Sequence, residues 1–537
     1  MRLTRHLAAA FVLALPARPA AAQESARPVT VAEQRPAGRP FGTLREQAVL
    51  QQQWLARRLE TVLPALMRQH GVDMWVIPMR EYAEDPTFSA LVSPTTFAAR
   101  RRTIYVFFDK CAAGDSASVG ASGGAAPRAA PPAQGSPAGG GRSAAAGVPT
   151  NSPTGAGRSA AGGVPTSSPA GNGRGAAAGA CVEKLALGGS SQGGVFEAVR
   201  STKAVAAPAA GSKTRELTAE LWGDQQWQVL KDVIAARRPR VIAINKSRTF
   251  AFADGLTAGE YEGMTEALGP EWTRRFRPAE GMAVDLIAAR LPEEEAVYRR
   301  MQEVAWEIIT TAFSSQVITP GKTTTEDVVW WMRQRVNDLG LDTWFQPSVD
   351  VQRRGVTAEQ LGDDPVIQRG DVLHCDFGIT ALRLNTDTQH MGYVLREGES
   401  AAPAGLKRVL AVSNRLQDIV MGEVRPGRSG NEILRASLAA MQREKIDGTV
   451  YTHPIGLHGH GAGPLIGLWD YQEGVPGRGD HKVIANQWFS IELQATTPVP
   501  EWDGQRVRSA QEEDMIVGAD GRPRWALKRQ TEFHLVR

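Results

Sequence analysis

Cysteine is scarce: three in 537 residues, at 111, 181 and 375, which leaves room for at most one disulfide bond. Long apolar runs are missing too. After the N-terminal segment no stretch of about 20 apolar residues occurs, so no helical membrane span is expected. Charge of one sign is lacking as well. The formal net charge is only +4, and part of it sits where it says little about partners, at Arg2, Arg5, Arg128, Arg142, Arg158 and Arg174. No basic face with interleaved aromatics stands out, and nucleic-acid binding is not expected.

The N-terminal segment itself is informative. "MRLTRHLAAAFVLALPARPAAAQ" carries Arg2 and Arg5, a short apolar stretch from Leu7 to Leu15, and an A-x-A site ending at Ala22. This predicts a secretory signal peptide over 1–22, cleaved after Ala22, and a secreted or periplasmic protein.

From 112 to 180 the composition collapses to Ala, Gly, Ser and Pro. "GRSAAAGVPTNSPTGA" from 141 is followed by "GRSAAGGVPTSSPAGN" from 157 and "GRGAAAGA" from 173, a tandem repeat of 16 residues. With almost no large apolar side chains it cannot bury a core, and it reads as a disordered insert in a surface loop. Cys111 and Cys181 flank it. In an exported protein they either bond and close it as a loop or remain bystander thiols. Cys375 has no evident mate and reads as a small core residue.

Around the insert the pattern is α/β, spanning 40–290. A long amphipathic helix, "TLREQAVLQQQWLARRLETVLPALMRQHG", leads into strands "DMWVIPM", "TIYVFFD", "VEKLALG" and "VIAINK". A boundary near 290 precedes a new helix, "RLPEEEAVYRRMQEVAWEIITTAF", with Pro292 and acids in its first turn, and a second domain over 291–537. That half repeats itself faintly. "ITPGKTTTEDVVWWMRQRV" and "VRPGRSGNEILRASLAAM" each join a Pro-Gly stop to a polar cap and a helix.

Chemistry concentrates in the second half. "HCDFGITALRLNTDTQH" reads as a β-hairpin centred near Ala381 and Leu382, which sets Asp376 opposite Asp387. Like charges held about 5 Å apart repel, and a divalent cation between them would relieve this. "THPIGLHGHGAGPLIGLWD" holds His453, His458 and His460, three of nine histidines, with glycines on both sides of His460 that leave room for close approach. In "QWFSIELQA" the apolar Phe489, Ile491 and Leu493 alternate, so Glu492 faces the other way. Glu513 precedes a further apolar run in "EEDMIVG".

In chain order these give Asp, Asp, His, Glu, Glu, with "DFG" and a second aspartate 11 residues on, then "GHGAG", "SIEL" and "EED". That set resembles the pita-bread metallopeptidases, which include methionine aminopeptidase, Xaa-Pro aminopeptidase and prolidase. The α/β domain resembles the one that precedes the proline-directed members. The resemblance implies an α/β N-terminal domain followed by an α+β pita-bread catalytic domain of two pseudo-symmetric halves. It also implies two divalent ions bound by Asp376, Asp387, His460, Glu492 and Glu513, with Mn²⁺ favoured and Co²⁺ or Zn²⁺ compatible. Glu492 would be the general acid and base, and peptides the partners, with release of the N-terminal residue before proline. A prolidase-like dipeptidase, or a catalytically silent binding module, is the alternative; a homodimer is compatible. Proline-directed relatives carry a histidine well before the first aspartate and another after the metal histidine. Here the first region reads "TWFQPSVDVQRRG" and Trp469 stands near the second position. His453 and His458 are the candidates to substitute as catalytic, substrate-contacting groups, since His374 lies too near Asp376.

Overall fold

The computed structural model describes residues 38–111, 181–200 and 223–537. The predicted signal peptide and the insert at 112–180 lie outside the described residues. The chain folds as two compact units. One comprises 56–92 and 96–286, the other 38–55, 93–95 and 287–537.

In the first unit the four predicted strands are joined by two short ones, Glu197–Val199 and Phe276–Pro278, in one sheet. β1 (Met74–Arg80), β2 (Arg102–Asp109), β3 (Val182–Leu187), β4 (Glu197–Val199), β5 (Ile242–Ile244) and β6 (Phe276–Pro278) lie in the order β4-β3-β2-β1-β5-β6. β1 and β2 are antiparallel, while β1, β5 and β6 run parallel. Met74 and Val76 alternate with Trp75 and Ile77, so each strand feeds both faces. One face packs Met74, Val76, Ile104 and Val106 against Trp227, Leu230 and Ile234 of the helix Asp224–Arg237. The long N-terminal helix forms from Leu44 to Gln69 but widens into a π-type turn at Arg58–Val62, just before Pro64, which has no N–H to continue the ladder. β2 and β3 pair directly, Asp109 opposite Val182, and Cys111 is disulfide-bonded to Cys181 where the 112–180 segment leaves and returns.

The second unit contains β7 (Ser348–Gln352), β8 (Val372–Phe377), β9 (Thr380–Ala381), β10 (Leu384–Asn385), β11 (Thr388–Val394), β12 (Gly448–Val450), β13 (His453–Ile455), β14 (Gln487–Ser490), β15 (Leu493–Val499), β16 (Gln505–Gln511), β17 (Asp514–Val517), β18 (Pro523–Trp525) and β19 (His534–Val536). They group as β19-β11-β8-β7, β12-β15-β16 and β13-β14-β17-β18, with the short β9–β10 ribbon at a hairpin tip. The two helices expected after the Pro-Gly stops are Thr325–Asp338 and Gly430–Glu444. Each starts with a capping box: Thr324 Oγ1 accepts from Asp327 N, and Ser429 Oγ accepts from Glu432 N, both at 3.2 Å. Both cap residues also form lone β-bridges, Thr324 to Val366 and Ser429 to Lys482, which gives the faint repeat a structural counterpart. Leu416, Val420, Ile433, Leu434, Phe489 and Met515 form a core between helices and strands.

The hairpin differs from expectation by one residue. Its turn is Leu382–Arg383, both left-handed with φ of 50° and 62°, and Ala381 pairs with Leu384. This moves the centre, so Asp376 opposes Gln389 and not Asp387.

Candidate metal centre

Strand register assembles the site. Opposed residues in an antiparallel ladder project to the same face, as do residues two apart along a strand. Asp376 opposes Gln389, and Gln389 bridges to Glu512. Continuing β15–β16 one step beyond the pair Leu493–Gln511 sets Glu492 beside Glu512, and Tyr451 N–H bonds Glu492 O at 3.2 Å. One lateral row therefore reads Asp376, Gln389, Glu512, Glu492, Tyr451. The neighbouring row holds His453 opposite Ser490 and Ser490 opposite Asp514, with Asp387 N–H bonded to Asp514 Oδ2 at 3.1 Å.

At this site three sets of potential ligand atoms lie within 4.8 Å of one another: Asp376, Asp387 and Glu512; His453, Glu492 and Glu512; Asp387, His453 and His460. His453 Nε2 is the hub, 3.2 Å from Glu512 Oε1, 3.6 Å from Asp387 Oδ2 and 3.7 Å from Glu492 Oε2. His453 is buried and His460 exposed at the rim, their rings edge to face at 4.7 Å. The ring of Trp344 meets His460 at 5.1 Å, and a Cβ at Gly459 would come within 2.3 Å of that indole. So the segment that lacks the expected histidine supplies an aromatic wall.

Of the residues expected at the site, Asp376, Asp387, His453, His460 and Glu492 come together. Glu513 does not, which corrects the expectation. One residue from Glu512, it projects to the opposite face, where Oε1 takes the Gln530 N–H at 2.8 Å and lies 3.1 Å from His390 Nε2. Glu512 takes its place. His460 shares its role with His453, which sits deeper, and His458 falls outside every such set among the described residues. Sequence reasoning also passed over Gln389 and Asp514. Each was reachable by the period of two, Gln389 from Asp387 and Asp514 from Glu512.

The electrostatics are those of anions short of a counter-charge. Burial, then the charge of Glu512, lifts the Asp376 carboxyl to about 7, and burial lifts Glu512 to about 7. Asp387 and Glu492 are driven well above the usual carboxylate range by burial and then by Glu512. Burial holds His453 below the usual imidazole range and brings His460 down to about 4, leaving neutral rings with lone pairs to offer. Oδ1 of both Asp376 and Asp387 is buried without a hydrogen-bond donor among the described residues. Unpaired buried carboxylate oxygens are costly. This donor set, four carboxylates and two imidazoles, fits divalent cations.

Comparison with known proteins agrees with the geometry. Residues 296–518 match metallopeptidase family M24, and that part of the chain has the pita-bread fold. No curated protein matches significantly. Similar solved structures include an X-Pro aminopeptidase from Thermotoga maritima, at 18% identity over 59% of this chain and 82% of that one with a TM-score of 0.43. An Xaa-Pro dipeptidase from Bacillus anthracis is 14% identical, covering 90% and 100% with a TM-score of 0.48. The dipeptidase PepE from Mycobacterium ulcerans is 14% identical, covering 90% and 98% with a TM-score of 0.49.

Proposed function

We propose that this protein is an exported metallo-aminopeptidase that removes the N-terminal residue from peptides with proline in the second position. The observation that carries the reading is the clustered set Asp376, Asp387, Glu492, Glu512 and His453, with His460 at its rim, whose carboxylates lack counter-charge. Asp376, Asp387, Glu492 and Glu512 would hold two divalent ions together with His453 and His460. Mn²⁺ suits so oxygen-rich a set. When bound, such ions supply Lewis acidity toward a carbonyl oxygen and an activated water.

Glu492 is the group that moves the proton. Its side chain is 15% exposed, against 1% for Glu512 and 5% for Asp387, so it alone of these three reaches a substrate nitrogen. Burial and the charge of Glu512 raise its affinity for a proton, which suits a general acid toward a leaving amine. Trp344, edge-on to His460, offers an apolar wall against which a proline ring can pack. The disulfide between Cys111 and Cys181 supports an oxidising, exported setting.

A second reading, a dipeptidase acting on Xaa-Pro, is favoured by Arg478. Its guanidinium makes no hydrogen bond or ion pair among the described residues, is half-buried, and acts electrostatically on His453 and His460. A free carboxylate of a short substrate would pair with it. Hydrolysis of an Xaa-Pro dipeptide against an Xaa-Pro-Yaa tripeptide, with Mn²⁺ and after chelation, decides. Tripeptide cleavage that is lost on chelation supports the first reading and dipeptide-only cleavage the second. Metal-loaded protein that cleaves neither overturns both.

A further inference from the structure

One residue on the site face is neither acid nor imidazole. Gln389, 4% exposed, stands between Asp376 and Glu512 in the lateral row. Its Nε2 donates to Glu492 Oε1 at 2.6 Å and to Glu512 Oε2 at 3.0 Å. The other oxygen of each carboxylate, Glu492 Oε2 and Glu512 Oε1, faces His453 Nε2. One amide thus decides which oxygen of two glutamates turns inward. The amide has two orientations, and the reversed one would set its carbonyl against both carboxylates. His374 stands on the other side of the amide, its Nε2 2.9 Å from Gln389 Oε1, a contact that holds the observed orientation in the tautomer that carries its proton on Nε2. Asp350, opposite His374 on β7, flanks the far side of the ring, with Oδ2 3.3 Å from Nδ1. His374 finds its place here, two residues from Asp376 on the same face.

We propose that Gln389 is the positioning residue of the cation centre, its amide orienting Glu492 and Glu512 and its own orientation supported by the contact with His374. The proposal rests on the reading of the six-residue set as a cation site, but not on which peptide is cleaved. No protein donor other than this amide reaches both glutamates among the described hydrogen bonds. With it removed, the two carboxylates lose the one donor they share and repel across the gap.

The test is a Co²⁺ titration of metal-free full-length protein, followed by the visible absorption of the bound ion. Gln389→Leu is expected to weaken Co²⁺ binding by about 10- to 100-fold and to shift the absorption bands, as for other residues that orient metal ligands. His374→Leu, which lets the amide reverse, should weaken binding by about tenfold, while His374→Gln, which keeps a donor toward the amide oxygen, restores most of it. Parental affinity and spectrum in Gln389→Leu overturn the proposal. Should that variant fail to fold, the same parental result in His374→Leu overturns it. Parent protein that takes up no Co²⁺ overturns the cation-site reading itself, a result distinct from either.

Discussion

Cation uptake should displace protons from the site, and the number should depend steeply on pH. Asp376 and Glu512 are each lifted to about 7, from unfolded values near 4. At pH 5.5 both are almost wholly protonated and at pH 8.5 almost wholly ionised, whereas a ligand must be deprotonated to coordinate. Uptake should therefore release about two more protons at pH 5.5 than at pH 8.5, and apparent affinity should fall by up to about 100-fold per pH unit below 7. Asp387 and Glu492, driven up as well, can only add to that difference. The stability of the metal-free protein carries the same information with a defined sign. Because the folded pKa of these groups lies above the unfolded one, their contribution is fully present below about pH 4 and is lost as pH rises through about 7, by on the order of 4 kcal/mol per group. Calorimetric titration with Mn²⁺ in two buffers of different ionisation enthalpy counts the protons. Thermal unfolding of metal-free parent against Glu512→Gln, from pH 4 to pH 8, isolates one group. Equal proton counts at pH 5.5 and 8.5, or parallel stability profiles for parent and variant, would refute the reasoning.

Three further outcomes follow from the geometry. Glu512→Gln should lower Mn²⁺ affinity by orders of magnitude, and Glu513→Gln, on the other face, should leave it within about threefold, as calorimetry would show; the reverse ranking would restore Glu513 as the ligand. His453→Ala should abolish uptake of at least one ion, whereas His460→Ala at the rim should keep measurable uptake. Metal content by mass spectrometry separates them, and equal loss in both would place the rings at equal depth. Cys111→Ser should lower unfolding free energy by up to about 4 kcal/mol, the chain-entropy value for a loop of about 70 residues. Denaturant midpoints unchanged between oxidised parent and variant would show that the bond constrains little.

Much of the fold is legible in the chain because local rules and tertiary structure agree. Short apolar runs mark β1 to β3, and Pro-Gly with Thr324 or Ser429 marks the two capped helices. The hairpin centre is not legible, since Leu382 and Arg383 are not residues that announce a left-handed turn, as Asn-Gly would. The choice between Glu512 and Glu513 fails for a different reason. β17 is buried on both faces, from Asp514 through Val517, so no alternation of apolar and polar residues tells which side is which. His453 over His460 is likewise a matter of depth, fixed by Ser490 across the ladder and not by any local motif.

What fixes the face is Asp514. A one-residue slip at β17 would still offer a glutamate to the site, because 512 and 513 are the same residue type, so the ligand row alone tolerates either register. Asp514 does not. In the observed register its Oδ2 accepts from Tyr298 Oη at 2.7 Å, from Asp387 N at 3.1 Å and from Gln302 Nε2, all buried. The slipped register would leave the Asp387 N–H and Gln302 Nε2 without this acceptor, at roughly 1–3 kcal/mol each, and Tyr298 Oη with the Asn385 carbonyl alone, and would turn Asp514 toward the opposite face. Tyr298 and Gln302 lie on the helix Glu295–Ala312, and Asp387 is itself a member of the cluster. The carboxylate that pins the register is thus bonded both to the scaffold helix and to the backbone of a ligand, so packing of that helix and placement of the ligands are set by the same three hydrogen bonds.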